Sequence, residues 1–198
     1  MTSSLLSGQQ LMIVISGPSG VGKDSVVRRL QQRDKSLHFV ITATTRLPRE
    51  GEVDGHDYVF VSRSRFREMI DKNELIEHSI VYGDYKGVPK QQVQDACSTG
   101  LDIVMRLDVQ GAAKIRKIYP AAVSIFLTTG TQEELERRLL SRKSETDQTL
   151  KLRVATARKE MKKVHEFDYS ILNVDDRLDE TVDTILAIVC AEHYRIRK

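Results

Sequence analysis

Gly17-Pro18-Ser19-Gly20-Val21-Gly22-Lys23 sets three glycines and a lysine between a short apolar run, Leu11 to Ser16, and a segment with helical spacing at Val26, Val27 and Leu30. A glycine turn between a strand and a helix turns backbone N–H groups and positive potential toward a polyphosphate. A lysine at its end can reach the β and γ phosphates. The next residue is Asp24, where a Ser or Thr hydroxyl usually ligates magnesium. Two roles are open for this carboxylate. It is a hard oxygen donor to a metal, directly or through water, or a favourable negative charge at a helix start.

Further candidates lie downstream. The apolar strand Ile103 to Leu107 ends in Asp108, at the sheet edge where an acid can approach metal, water or substrate. Arg138 and Arg142 are four residues apart and share a helix face, and Arg153 opens the next basic helix beyond the polar stretch Lys143 to Thr149. Between Arg137 and Lys163 there are ten Lys or Arg against three Asp or Glu, which points to an anionic visitor. Planar guanidinium groups suit the charge spread of a transferring phosphoryl group. Lys159, Lys162 and Lys163 read as a solvated face. Arg46 and Arg49, three apart around Pro48, and Tyr58 after them suit a monophosphate. Glu77, in a predicted strand, offers a carboxylate to the paired N1–H and N2–H donors of guanine. The five histidines have no ligand spacing, and none is assigned to catalysis or metal.

These residues need a scaffold. Apolar strands are expected at Leu11 to Ser16, Phe39 to Ala43, Ile103 to Leu107, Val123 to Leu127 and Tyr169 to Leu172, with helices over 24–33, 110–117, 131–142, 149–164 and 179–195. That alternation predicts an α/β fold, a parallel sheet covered by helices. The stretch from Arg46 to Pro89 breaks the rhythm with short strands at Tyr58 to Val61 and Leu75 to Val81 around a helix at Ser64 to Lys72. It reads as an inserted α+β lobe, after which Pro89 enters the first turn of a helix running to about Thr99. A length of 198 residues fits one compact domain, and 40% apolar with 30% charged residues is the balance of a soluble globular protein. The net charge of +3 decides nothing about partners. Runs such as Leu11 to Ile15 and Ile185 to Cys190 are too short to cross a bilayer, and Met1 to Gln10 lacks the basic and apolar parts of a secretory signal. Cys97 and Cys190 are expected to be small buried thiols in a reducing compartment.

The P-loop at Gly17 to Lys23, Thr42-Ala43-Thr44-Thr45-Arg46-Leu47-Pro48-Arg49, Gly51-Glu52-Val53-Asp54-Gly55-His56-Asp57-Tyr58 and Leu107-Asp108-Val109-Gln110-Gly111 follow one another in an order that resembles guanylate kinase, from about Leu11 to Glu192. The resemblance implies the P-loop kinase fold in a single domain: a core at about 11–45, 90–130 and 165–195, a GMP-binding lobe at about 46–89, and an arginine-rich helical lid at about 137–160. It implies transfer of the ATP γ-phosphoryl to GMP, and to dGMP, with magnesium. Gly17, Pro18, Ser19, Gly20, Val21, Gly22, Lys23 and Asp24 would hold the ATP phosphates, with Asn173 near the ATP base. Arg46, Arg49 and Tyr58 would hold the GMP phosphate, and Thr42, Glu77 and Asp108 would surround its guanine. Lys23, Arg138, Arg142 and Arg153 would act on the transferring group.

Three positions depart from the family besides Asp24. The family commonly has Tyr-Tyr-Gly and then Ser or Thr where this chain reads Tyr85-Lys86-Gly87-Val88. Lys86 would replace a phenol's phosphate contact with a charge-assisted one, and Val88 has no hydrogen bond to give guanine. Arg106 stands where an acid is usual. The pattern is similar to guanylate kinases of plant organelles. The expected setting is the cytoplasm, or an organelle stroma or matrix if a targeting segment was removed. The expected state is a monomer or homodimer with no nucleic-acid or membrane partner. Two rivals are a non-catalytic guanylate kinase-like domain that binds peptides, against which Lys23 and the lid arginines speak, and a kinase for another monophosphate, against which Glu77 with Asp108 speaks.

Overall fold

The computed structural model of the chain describes residues 9–140 and 147–196. From the N-terminus, β1 (Met12–Ser16) feeds the glycine loop and α1 (Lys23–Arg33). Then come β2 (Leu37–Val40), β3 (Ala43–Thr44), β4 (Val59–Phe60), α2 (Arg63–Asp71), β5 (Leu75–Val81) and β6 (Asp84–Pro89). The second half alternates: α3 (Lys90–Thr99), β7 (Asp102–Arg106), α4 (Val109–Ile118), β8 (Val123–Thr128), α5 (Gln132–Leu140), α6 (Asp147–Met161), β9 (Tyr169–Leu172) and α7 (Leu178–His193).

A five-stranded sheet of order β2-β7-β1-β8-β9 forms the centre, and each of its pairings is parallel. Strand β1 lies in the middle because Ile13, Val14 and Ile15 are apolar on both faces, as a strand covered on both sides must be. One face packs Val26, Leu30, Leu135, Leu139, Val182 and Ile185 from three helices, α1, α5 and α7. The other packs Val93, Ala96, Ala112 and Ile115 from α3 and α4. Truncating one of these buried Leu or Ile side chains to Ala costs about 2–5 kcal/mol. The glycine loop therefore springs from the central strand of the sheet.

The second sheet is four-stranded, order β4-β3-β6-β5, and mixed. It corrects two expectations. The single strand expected at Phe39 to Ala43 is two strands in different sheets, β2 beside β7 and β3 beside β6. Between them the Ile41 N–H donates to the Gln92 side chain, 3.2 Å, and leaves the first ladder. Strand β6 was not expected at all, since Asp84, Lys86, Gly87 and Pro89 are poor strand formers. It is held by pairing on both sides, with β5 and β3. Pro89 ends that strand and caps α3 from outside, rather than lying in its first turn. The helix expected over 149–164 runs instead as α6 from Asp147 to Met161 and is followed by a short 3-10 turn at Val164–Glu166. The end expected for α5 at residue 142 lies outside the described residues. Cys97 and Cys190 sit on α3 and α7 as expected, but both are exposed rather than buried.

Candidate active site

The loop between β1 and α1 needs glycine at two points. Gly17 has φ 138°, and a Cβ on it would meet the Leu127 carbonyl oxygen at 2.3 Å. Gly22 has φ 92°, and a Cβ there would meet the Asn173 Nδ2 at 2.6 Å. Lys23 folds back on its own loop, its Nζ donating to the carbonyls of Gly17 at 2.6 Å and Pro18 at 2.9 Å. Desolvation is the strongest influence on this amine and lowers its pKa to about 8, against the carboxylates of Glu160, Asp24 and Asp108 and with the help of Lys86. The Ser19 N–H donates to Glu160 Oε2 at 3.3 Å, so a buried carboxylate from α6 rests on a loop amide suited to phosphate.

Around this loop opens a cleft of about 700 Å³ that is continuous with solvent. Its walls carry Arg46, Arg49, Tyr58, Lys86, Asp108 and Arg153 of the expected residues. Arg46 is bidentate to Glu52, at 2.8 and 2.9 Å, and lies over the Tyr58 ring. Arg153 lies over the ring of Tyr82, 4.7 Å from its centroid. Tyr82 comes from the two-residue hairpin turn Tyr82-Gly83 joining β5 to β6, and its φ of 54° is uncommon for a bulky residue.

Lys23, Tyr58, Lys86 and Asp108 also line an adjoining cavity of about 310 Å³ that reaches Thr42 and Glu77. Glu77 is 5% exposed, and its Oε2 has no hydrogen-bond partner among the described residues. Burial, and then the charge of Asp108, raises its pKa to about 7. Asp108 is fixed, one oxygen capping α4 at the N–H groups of Gln110 and Gly111, the other accepting from the Ser79 hydroxyl at 2.8 Å. Val88 is turned into the apolar cluster of Val93 and Met105 and offers this cavity nothing polar.

Three expectations change at the site. Asn173 donates from Nδ2 to the Val21 carbonyl at 2.8 Å and accepts at Oδ1 from Thr181 at 3.0 Å, so both ends of its amide buckle the glycine loop to α7 instead of facing a base. Arg138 lies beneath the loop, donating to the Asn173 carbonyl at 2.8 Å and pairing with Glu134 and Asp175, and does not line the cleft. These contacts, with a further one to the Val21 carbonyl, give it a bracing geometry. Asp24 pairs with Arg106 at 2.9 Å, accepts from the Tyr58 hydroxyl at 3.2 Å and faces Arg49 at 3.8 Å. Burial pulls its pKa up, but Arg106 outweighs this with Lys86, Lys23 and Arg49 behind it, and holds it at about 2. Among the described residues no group of three or more His, Cys, Asp or Glu is placed to hold a metal ion. Asp24 Oδ1 is taken by Arg106 and Tyr58, and both oxygens of Asp108 accept hydrogen bonds, so this donor set does not fit a magnesium ion held by several protein oxygens. Arg142 lies outside the described residues.

Tyr82, Glu160, Ser79 and Glu52 join the site without a role assigned from sequence, where Arg106 is only a departure. A buried acid such as Glu160 did leave a signal, as a carboxylate among the basic residues Arg158, Lys159, Lys162 and Lys163. Tyr82-Gly83 left one too, as a hairpin turn, visible once β6 is recognised as its second strand.

A glycine phosphate loop at the edge of a parallel sheet, joined to a cationic cleft and a small cavity with an unpaired carboxylate, defines a P-loop nucleotide kinase. Residues 9–192 match the family model described as Guanylate kinase. The chain is 49% identical over 191 residues to guanylate kinase 2, chloroplastic/mitochondrial, of Oryza sativa subsp. japonica, covering 96% of this chain and 67% of that one. It is 42% identical over 183 residues to a guanylate kinase of Halalkalibacterium halodurans, covering 92% and 89%. The crystal structure of guanylate kinase from Anaplasma phagocytophilum superposes with a TM-score of 0.78 at 30% identity, covering 95% and 88%. The chain belongs to the guanylate kinase family and is a nucleoside monophosphate kinase, a phosphotransferase.

Proposed function

We propose that this kinase transfers the γ-phosphoryl group of ATP to GMP, and to dGMP, with the labour divided between the cleft and its side cavity. The observation that carries the reading is Glu77, a buried carboxylate with a free oxygen in a cavity that opens onto the phosphate loop. A guanine edge supplies two adjacent N–H donors to such a carboxylate, and adenine supplies one donor beside an acceptor. Thr42 and Asp108 complete the base pocket.

Arg46, Arg49, Tyr58 and Lys86 receive the acceptor's phosphate. The loop amides and Lys23 receive the donor's phosphates, displacing Glu160 from Ser19. A phosphate oxygen of GMP then attacks the γ-phosphorus in line. The new P–O bond forms as the bond to the ADP oxygen breaks, with no covalent enzyme intermediate. Positioning two anions and screening their repulsion is the whole of the protein's task. Arg153 reaches the transferring group from α6, Arg142 joins it, and Arg138 braces the loop below. In this reading residues 46–89 act as the acceptor lobe and 137–160 as a lid over one core.

The setting proposed is the cytoplasm, or an organelle stroma or matrix, which the name of the rice relative favours. No helix among the described residues is long and apolar enough to cross a membrane. A coupled assay of ADP formation with GMP, dGMP, AMP, CMP and UMP tests the reading. Turnover with the two guanine nucleotides alone is expected, and equal turnover of AMP or no turnover at all would sink it.

A further inference from the structure

Asp24 stands where a P-loop hydroxyl usually ligates magnesium and Arg106 where an acid is usual, and here the two grip each other. Arg106 ends β7 opposite Ile15 of β1, and Asp24 lies in the first turn of the helix that follows the β1 loop, so both reach one point at the sheet edge. The Arg106 Nη1 lies 2.9 Å from Asp24 Oδ1, with the guanidinium side chain only 10% exposed. That guanidinium also stacks on the Tyr58 ring, 4.1 Å from its centroid, and donates through Nη2 to the Asp57 carbonyl. Asp57 is in turn tied to Arg28 on α1, at 2.8 Å. Asp24 passes the restraint on, accepting from the Tyr58 hydroxyl at 3.2 Å and facing Arg49 at 3.8 Å.

A hydroxyl on the helix and an acid on the strand would leave a gap for a cation. The present pair moves the acid to the helix and sets a permanent cation on the strand, so the charge balance is kept without a metal. A divalent ion between them would meet a fixed guanidinium head-on. The same pair is continuous with two groups assigned to the acceptor phosphate, which a metal grip on the donor side would not require.

We propose that Arg106 is a positioning residue that replaces a protein-held divalent ion: it fixes Asp24, and through Asp24 orients Tyr58 and Arg49 toward the acceptor's phosphate. Magnesium then travels on the nucleotide, with no ligand from Asp24. The acceptor half of this inference rests on the proposed GMP reaction; the metal half does not.

Two measurements test it. Thermal melting of the nucleotide-free protein with and without millimolar Mn²⁺ should show no shift in wild type. Arg106→Asp, which sets a second carboxylate across the gap from Asp24, should melt lower and be raised by Mn²⁺. If that variant does not fold, Arg106→Gln replaces it and should gain no response. Stabilisation of wild type by Mn²⁺ would overturn the proposal.

In steady-state kinetics, Asp24→Asn and Arg106→Gln should each raise the KM for GMP about tenfold, as expected for a lost charge-assisted contact. Their dependence on free Mg²⁺ should stay that of wild type, and the double variant should be no worse than either single one. A metal-ligand role for Asp24 would instead move half-saturation by Mg²⁺ about 10–100-fold in Asp24→Asn, and that result would refute the inference. Wild type with no activity toward GMP would fail the proposed reaction, while the melting data would still judge the ion pair.

Discussion

Glu77 should make recognition of guanine depend on pH within the neutral range. Burial and then Asp108 lift its pKa from the ordinary 4.5 to about 7, and only the ionised carboxylate accepts both guanine donors. With that pKa the competent fraction of the free protein falls from about nine-tenths at pH 8 to about one-tenth at pH 6, so apparent affinity should weaken about tenfold. Folding responds in the opposite sense. The folded chain holds this proton more tightly than the unfolded chain between pH 4.5 and about 7, so ionising Glu77 removes stability as pH rises through that window. The full shift corresponds to about 3 kcal/mol, and bound guanine recovers part of it by supplying donors.

The ligand for the assay is guanosine, because a phosphate group titrates near pH 6 and would add its own slope. Calorimetric dissociation constants at pH 6, 7 and 8 for wild type and Glu77→Gln give the comparison. Wild type should lose about tenfold between pH 8 and pH 6, while the amide variant should bind more weakly and with no slope. Equal constants at pH 6 and pH 8 in wild type, or the same slope in both proteins, would refute the assignment of guanine to Glu77.

Two further outcomes follow from the geometry. Lys23→Ala should lower kcat about 100-fold or more while leaving the melting temperature near that of wild type, since it removes a phosphate-directed charge but no core packing; near-normal turnover in the folded variant would contradict the proposed donor site. Gly111→Ala would place a Cβ 3.1 Å from the Glu77 carboxylate, so kinetics with each substrate varied should show a raised KM for GMP and an unchanged KM for ATP.

The central sheet was legible because its strands are buried on both faces and read as continuous apolar runs. The phosphate loop was legible because its glycines, lysine and flanking elements are contiguous in sequence. The second sheet was less so. Strand β6 owes its form to partners on both sides, information that a propensity reading of Asp84 to Pro89 does not contain. Residue roles failed where they depend on long-range contacts. Asn173 meets Val21 and Thr181, and Arg138 meets Asn173, across stretches of chain that no local pattern connects. Arg106 and Asp24 were each visible as single departures, but their compensation required seeing β7 beside the β1 loop.

Those contacts have a common sense when the substrates are taken to be anions. Glu160 sits on the Ser19 amide, and Glu52 holds Arg46. In the proposed division each of these cationic or donor groups awaits a phosphate, and in the free protein each already meets a carboxylate from its own chain. Half-buried guanidinium groups left without counter-charges would be costly, so an empty phosphate site stays folded by supplying its own. Substrate binding is then an exchange of one anion for another. The gain is smaller than the bare attraction of arginine for phosphate, and the selectivity passes to a buried acid with one oxygen that has no hydrogen-bond partner among the described residues. That acid is Glu77, which points the burden of discrimination at the base and leaves the phosphate groups to set distance and direction.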